Sequence, residues 1–162
     1  AGGACLTSGG RIHRVAEGVP AVPIALVPEA TMATAEARAA LPEQVPFGDA
    51  VFSVGRSALL GAGLAAQSEE VFAAALNDRL HEPYRAAIYP QLPRLVEAAR
   101  EAGALGACLS GAGSTILAFA DSLNVISRIE GAFAAAAADT DITGRVMVVA
   151  PRNAGAKVKL KA

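Results

Sequence analysis

The sequence predicts an α+β fold: a two-layer sandwich in which a mostly antiparallel sheet carries helices on one face. Short apolar or β-branched runs of strand length alternate with longer segments of helical spacing. The C-terminal part reads helix, strand, loop, strand, helix, strand, an order that lays helices over one antiparallel sheet. The chain has 162 residues, 53% hydrophobic and 18% charged, which suits a continuous core and argues against disorder. No internal repeat or low-complexity linker divides it, so residues 1–162 read as one domain.

The first ten residues, rich in Ala and Gly, resemble the end of a helix packed closely on a neighbour. They lack an initiating Met, and the chain reads as a piece of a longer protein. Residues 11–16 and 21–28 are expected to be strands joined by the turn Glu17-Gly-Val-Pro20. The second is almost wholly apolar, as a strand buried on both faces would be. Residues 31–41 have a helix-forming composition, with Thr34 as candidate cap and Pro42 as the stop.

Residues 47–66 predict a long apolar helix with Phe52, Val54, Ser57, Leu59, Leu60 and Leu64 on a broad inward face. Residues 68–80 predict another, opened by Ser68 and two glutamates that suit the helix dipole. Phe72, Leu76 and Leu80 recur along it at the spacing of one face. Residues 81–90 form a polar, proline-punctuated connection. Residues 91–102 are amphipathic, with Leu92, Leu95, Val96 and Ala99 opposite Arg94, Glu97, Arg100 and Glu101, and Gly103 as the stop. A strand, a glycine loop and a strand run to Ala120; a helix covers 122–138 and a β-branched strand 144–151.

A net charge of −1 with dispersed charges offers no field for nucleic acid. Only Lys157, Lys159 and Lys161 cluster, as a solvated tail or edge strand does. No apolar run reaches the ~18–20 residues of a membrane span, and no signal peptide is expected. Cys5 and Cys108 lie far apart with no His cluster, so neither a disulfide framework nor a metal site is expected, and a reduced cytoplasmic compartment is.

Three segments carry chemistry. Thr34 and Arg38, four apart, share a helical face, so a hydroxyl and a guanidinium can converge on one carboxylate; as a cap and a solvated residue they would do nothing. Asp78-Arg-Leu-His-Glu-Pro-Tyr-Arg85 brings an acid, a His, a Tyr and two Arg into one short stretch. Arg85 can form the second arm of a carboxylate clamp, because a guanidinium matches a planar anion better than an ammonium does. The third is the loop Ser110, Gly111, Ala112, Gly113, Ser114. Its glycines can take positive φ, so that successive N–H groups face one anion or carbonyl, although a tight turn between strands has the same composition. No phosphate-binding loop, dinucleotide fingerprint or nucleophile elbow occurs, and no residue is assigned as catalytic acid or base.

In this order, Pro28-Glu-Ala-Thr-Met-Ala-Thr-Ala-Glu-Ala-Arg-Ala-Ala-Leu-Pro42, Asp49-Ala-Val-Phe52, Asp78-Arg-Leu-His-Glu-Pro-Tyr-Arg85 and Gly106-Ala-Cys-Leu-Ser-Gly-Ala-Gly-Ser-Thr115 resemble the C-terminal half of bacterial homoserine kinases. Those enzymes belong to the GHMP kinase superfamily, and the resemblance spans nearly the whole chain. The glycine loop alone would indicate only the superfamily, as its third motif; the two Arg-bearing segments single out the family.

The resemblance implies a ferredoxin-like C-terminal domain and transfer of the γ-phosphoryl group of Mg-ATP to the hydroxyl of L-homoserine, a step towards threonine. It assigns Thr34, Arg38 and Arg85 to the amino acid, chiefly its carboxylate, and Ser110 to Ser114 to a loop closing over substrate and phosphate. The family's ATP phosphate loop, its acidic ligand for Mg²⁺ and its contacts to the substrate amino group belong to an N-terminal portion absent from these residues. The chain alone is therefore expected to be inactive. Two positions depart from the family pattern: Ser114 stands where Pro is usual, which loosens the loop, and Glu82 where Gln is commoner, which adds a negative charge beside Arg85.

Other readings stay open: a GHMP kinase for mevalonate or a sugar, a non-catalytic α+β module that senses an amino acid, or an oligomerisation half whose apolar helix faces pair into a homodimer.

Overall fold

The computed structural model describes residues 2–157. Its layers follow from period-two alternation in the strands, where successive side chains leave opposite faces of a sheet. In β5 (Ile116–Ala120), Ile116, Ala118 and Ala120 enter one core while Leu117 and Phe119 enter another. In β4 (Gly106–Leu109), Ala107 and Leu109 take the first side and Cys108 the second. With β3 (Val22–Pro28) and β6 (Gly144–Val148) they form a four-stranded antiparallel sheet in the order β4-β5-β3-β6. β3 lies inside the sheet, which accounts for its near-continuous apolar sequence.

The helices α5 (Leu92–Glu101) and α6 (Leu123–Asp139) cover the first face. The predicted stripe of α5 is the buried one: Leu92, Leu95, Val96 and Ala99 meet Ile129 and Phe133 of α6 above Ile24, Leu26 and Ile116. Ser122 caps α6 by accepting the N–H of Val125 at 3.4 Å.

Leu64 at the end of α2 (Phe47–Ala66) and Phe72 in α3 (Glu69–Ala75) meet part of the opposite face. Phe72 sets its ring edge against Phe119, with centroids 5.0 Å apart and planes at 84°. Helices α5 and α6 thus cover one face as expected, and α2 and α3 close part of the other around a second, smaller core.

Several boundaries differ from expectation. The first ten residues are no helix end: β1 (Ala4–Ser8) pairs with β2 (Arg11–Ala16) in a separate two-stranded sheet, turned by Gly9 and Gly10. β2 and β3 consequently belong to different sheets. The inward face of α2 is narrower than predicted. Ser53 and Leu64 are buried, whereas Val54 is 69% exposed and Leu59 is also exposed, since they fall on other sides of the helix. Ser57 shares the face of Ser53 but is exposed, its hydroxyl donating to Ser53 O at 2.9 Å. Phe52 is half-buried instead beneath two guanidiniums, Arg56 at 4.7 Å and Arg79 at 4.0 Å from its ring.

The helix α1 spans only Thr34–Ala39, with Ala33 at its N-cap, so Thr34 does not cap it. The helix expected to reach residue 80 stops at Ala75, although it starts as read, with Ser68 as its cap. The Asp78 carboxylate then competes for the backbone, accepting from the N–H groups of Leu80, His81 and Glu82. That turn starts α4 (Glu82–Arg85) within the predicted connection. Lys157 is exposed, and Lys159 and Lys161 lie outside the described residues.

Candidate functional site

Arg85, at the end of α4, joins three sequence segments. Its side chain is buried, the residue being only 8% exposed, so its polar atoms need partners. Nε donates to the carbonyl of Ala37 in α1 at 3.3 Å. Nη1 donates to the carbonyl of Gly111 in the glycine loop at 2.7 Å, and stands 3.1 Å from Nδ1 of His81. The loop, α1 and α4 meet at this one guanidinium. Among the described residues Nη2 has no hydrogen bond, so Arg85 retains one nitrogen and its charge for a ligand.

Arg38 follows Ala37, the buried residue whose carbonyl Arg85 holds, and is itself exposed with no side-chain partner among the described residues. Thr34 is exposed one turn earlier on α1. A cavity of about 500 Å³ beside the loop has Met32, Glu36 and Ser114 among its walls, but not Thr34, Arg38 or Arg85.

The loop between β4 and β5 is closed by Ser110, whose N–H donates to Thr115 O at 2.8 Å, and by Gly113, whose N–H donates to Ser110 O at 3.2 Å. Gly111 and Gly113 have φ of +61° and +106°, where a side chain would be strained. At Gly113 a Cβ would also press on Met32 and Leu109. The N–H groups of Gly111, Ala112 and Ser114 lack a protein acceptor among the described residues, which leaves a short run of donors suited to oxygen anions. The Ser114 hydroxyl donates to Ala30 O at 2.6 Å and ties the loop to the segment preceding α1.

Glu82 acts elsewhere than expected. Its Oε1 accepts the N–H of Leu109 at 2.5 Å, holding the end of β4, and no hydrogen bond joins it to Arg85. Its charge also bears on Cys108, whose thiol is pushed up to about 12, first by burial and then by Glu82. Cys108 is consequently expected to resist iodoacetamide at pH 8 in the folded protein and to react in denaturant, as mass spectrometry would show. Alkylation at equal rates in both states would contradict its placement against the second core.

His81 drew no assignment from its sequence position, because a lone His carries no specific signal. Its ring lies between Asp78 and Arg85, with Nδ1 hydrogen-bonded to Arg85 Nη1 and Nε2 3.6 Å from Asp78 Oδ1. The four-residue spacing of His81 and Arg85 was the available clue, since it places both on one helical face. Among the described residues no group of three or more His, Cys, Asp or Glu could hold a metal ion, and no helix is long and apolar enough to cross a membrane.

Comparison with known proteins supplies the context. A family model described as GHMP kinases C terminal matches residues 57–139, which include Arg85 and the glycine loop. The chain is 39% identical over 136 residues to a homoserine kinase of Nostoc punctiforme, covering 84% of this chain and 44% of that protein. A homoserine kinase of Clavibacter michiganensis is 54% identical over 95 residues, 59% of this chain and 29% of that protein. A crystal structure of homoserine kinase from Cytophaga hutchinsonii superposes with a TM-score of 0.81 at 26% identity, over 88% of this chain and 45% of that one. The chain thus spans less than half the length of these relatives.

Proposed function

Because the chain belongs to the GHMP kinase C-terminal family, we propose that it is the C-terminal part of a homoserine kinase, which transfers the γ-phosphoryl group of ATP to the hydroxyl of L-homoserine. The observation that carries the substrate assignment is Arg85: a buried guanidinium held against α1 and the glycine loop, one residue from where Arg38 leaves the helix.

In this reading the substrate carboxylate lies between Arg38 and Nη2 of Arg85, with the Thr34 hydroxyl one helical turn from Arg38. Charge-assisted contacts of this kind bind a carboxylate strongly and orient it. The free N–H groups of Gly111, Ala112 and Ser114 neutralise oxygens near the transferred group. No side chain here is assigned as general base; positioning and charge neutralisation are this chain's part in phosphoryl transfer.

ATP supplies the phosphoryl group. We assign its phosphate loop and the Mg²⁺ ligands to an N-terminal portion of the full-length protein, since the chain spans less than half the length of the homoserine kinases it resembles. A reduced cytoplasmic setting fits the free thiols of Cys5 and Cys108.

A substrate panel tests this. The full-length protein is expected to phosphorylate homoserine in preference to mevalonate or galactose, with residues 1–162 alone showing no turnover. Arg38→Ala should raise KM for homoserine about tenfold or more, the effect of losing one charged hydrogen bond. Preference for mevalonate or the sugar would overturn the substrate, and turnover by the isolated chain would overturn the division of labour.

A further inference from the structure

We infer that His81 is a positioning residue: with Asp78 behind it, it holds the Arg85 guanidinium in the orientation that receives the substrate carboxylate. The inference rests on the proposed role of Arg85. An arginine can only donate, so the 3.1 Å contact between Nη1 and Nδ1 requires Nδ1 to be the unprotonated, accepting nitrogen of His81. The ring proton then sits on Nε2, the nitrogen facing Asp78 Oδ1 at 3.6 Å. That contact is electrostatic rather than a hydrogen bond, and it favours the tautomer that Arg85 needs.

Asp78 is itself anchored. Its Oδ2 accepts from the backbone N–H groups of Leu80, His81 and Glu82 at 3.1, 2.7 and 2.8 Å, which fixes the backbone from which His81 projects. Nε and both hydrogens of Nη1 are thereby committed to Ala37, Gly111 and His81, and Nη2 remains as the end of the guanidinium without a protein partner. Without the Nδ1 acceptor, Arg85 keeps its two carbonyls but can swing about them, and Nη2 is no longer aimed.

The same contacts could serve stability alone, so the test separates the two roles. In the full-length enzyme His81→Leu is expected to raise KM for homoserine about tenfold, the scale of one hydrogen bond to a charged group, with kcat and thermal midpoint changing little. His81→Asn, whose Oδ1 can stand in for Nδ1, should restore KM to near wild type, whereas His81→Gln, which carries its polar atoms farther out, should not. That pattern distinguishes an acceptor at one position from a side chain that merely fills space.

Arg85→Ala is measured in parallel. If it raises KM while His81→Leu and His81→Gln leave KM unchanged, the positioning role is wrong and the clamp stands. If Arg85→Ala itself leaves KM unchanged, the underlying substrate assignment has failed. If His81→Leu unfolds, the comparison of Asn with Gln still decides: equal KM values for the two overturn the inference.

Discussion

Arg85→Ala should raise KM for homoserine about a hundredfold in the full-length enzyme, because it removes the proposed carboxylate contact and releases the glycine loop together, at roughly 1.5–3 kcal/mol per charged hydrogen bond. The guanidinium is the only side chain hydrogen-bonded to both α1 and the loop among the described residues, through Ala37 O and Gly111 O. Without it both carbonyls lose a donor, and the free N–H groups of Gly111 and Ala112 lose their fixed direction. Arg85→Lys should recover little, since an ammonium cannot span the two carbonyls as the guanidinium fork does. Steady-state kinetics across homoserine concentrations measure the effect. A KM within threefold of wild type would remove Arg85 from the substrate site, whatever Arg38 does.

The largest effect on stability is expected at Phe133. It is 0% exposed, between α5, α6 and the sheet, in the core that also holds Leu95, Ile129 and Ile116. Truncation to alanine leaves a cavity that the surrounding helices and strands fill only in part, at a cost of about 3–5 kcal/mol. Leu123 begins the same helix but is 83% exposed, so Leu123→Ala should change stability by no more than about 0.5 kcal/mol. Urea unfolding followed by circular dichroism compares the two. Equal, small losses would mean that α6 does not lie on the sheet as described.

Periodicity made the main layer legible in advance. The stripe Leu92, Leu95, Val96, Ala99 faces the sheet as read, and the helix after Ser68 starts where it was read to start. These features are written in residues three or four apart, so a local pattern contains them. The glycine loop was legible for the same reason. What the sequence misplaced depended on partners far along the chain. β1 needs β2 and a glycine turn to become a strand, and its small residues carry no strong strand signal. The helix after Ser68 keeps its apolar spacing to Leu80, yet Asp78 withdraws the backbone for its own turn. Glu82 was read as a charge beside Arg85 from adjacency, whereas its carboxylate meets the N–H of Leu109, 27 positions away.

The sequence by itself therefore determined the α+β class, the α5 face against the sheet, the loop able to take positive φ, and the candidate set Thr34, Arg38 and Arg85. The tertiary structure alone decided that Arg85 is a buried tie between α1 and the loop, that Ser114 and Glu82 secure the segments around it, and that His81 stands at its back. Residue type and spacing set what a short segment can form, because those forces act within a turn or a strand. Which donor meets which acceptor across 26 or 48 positions is settled only when burial forces every polar atom to find a partner.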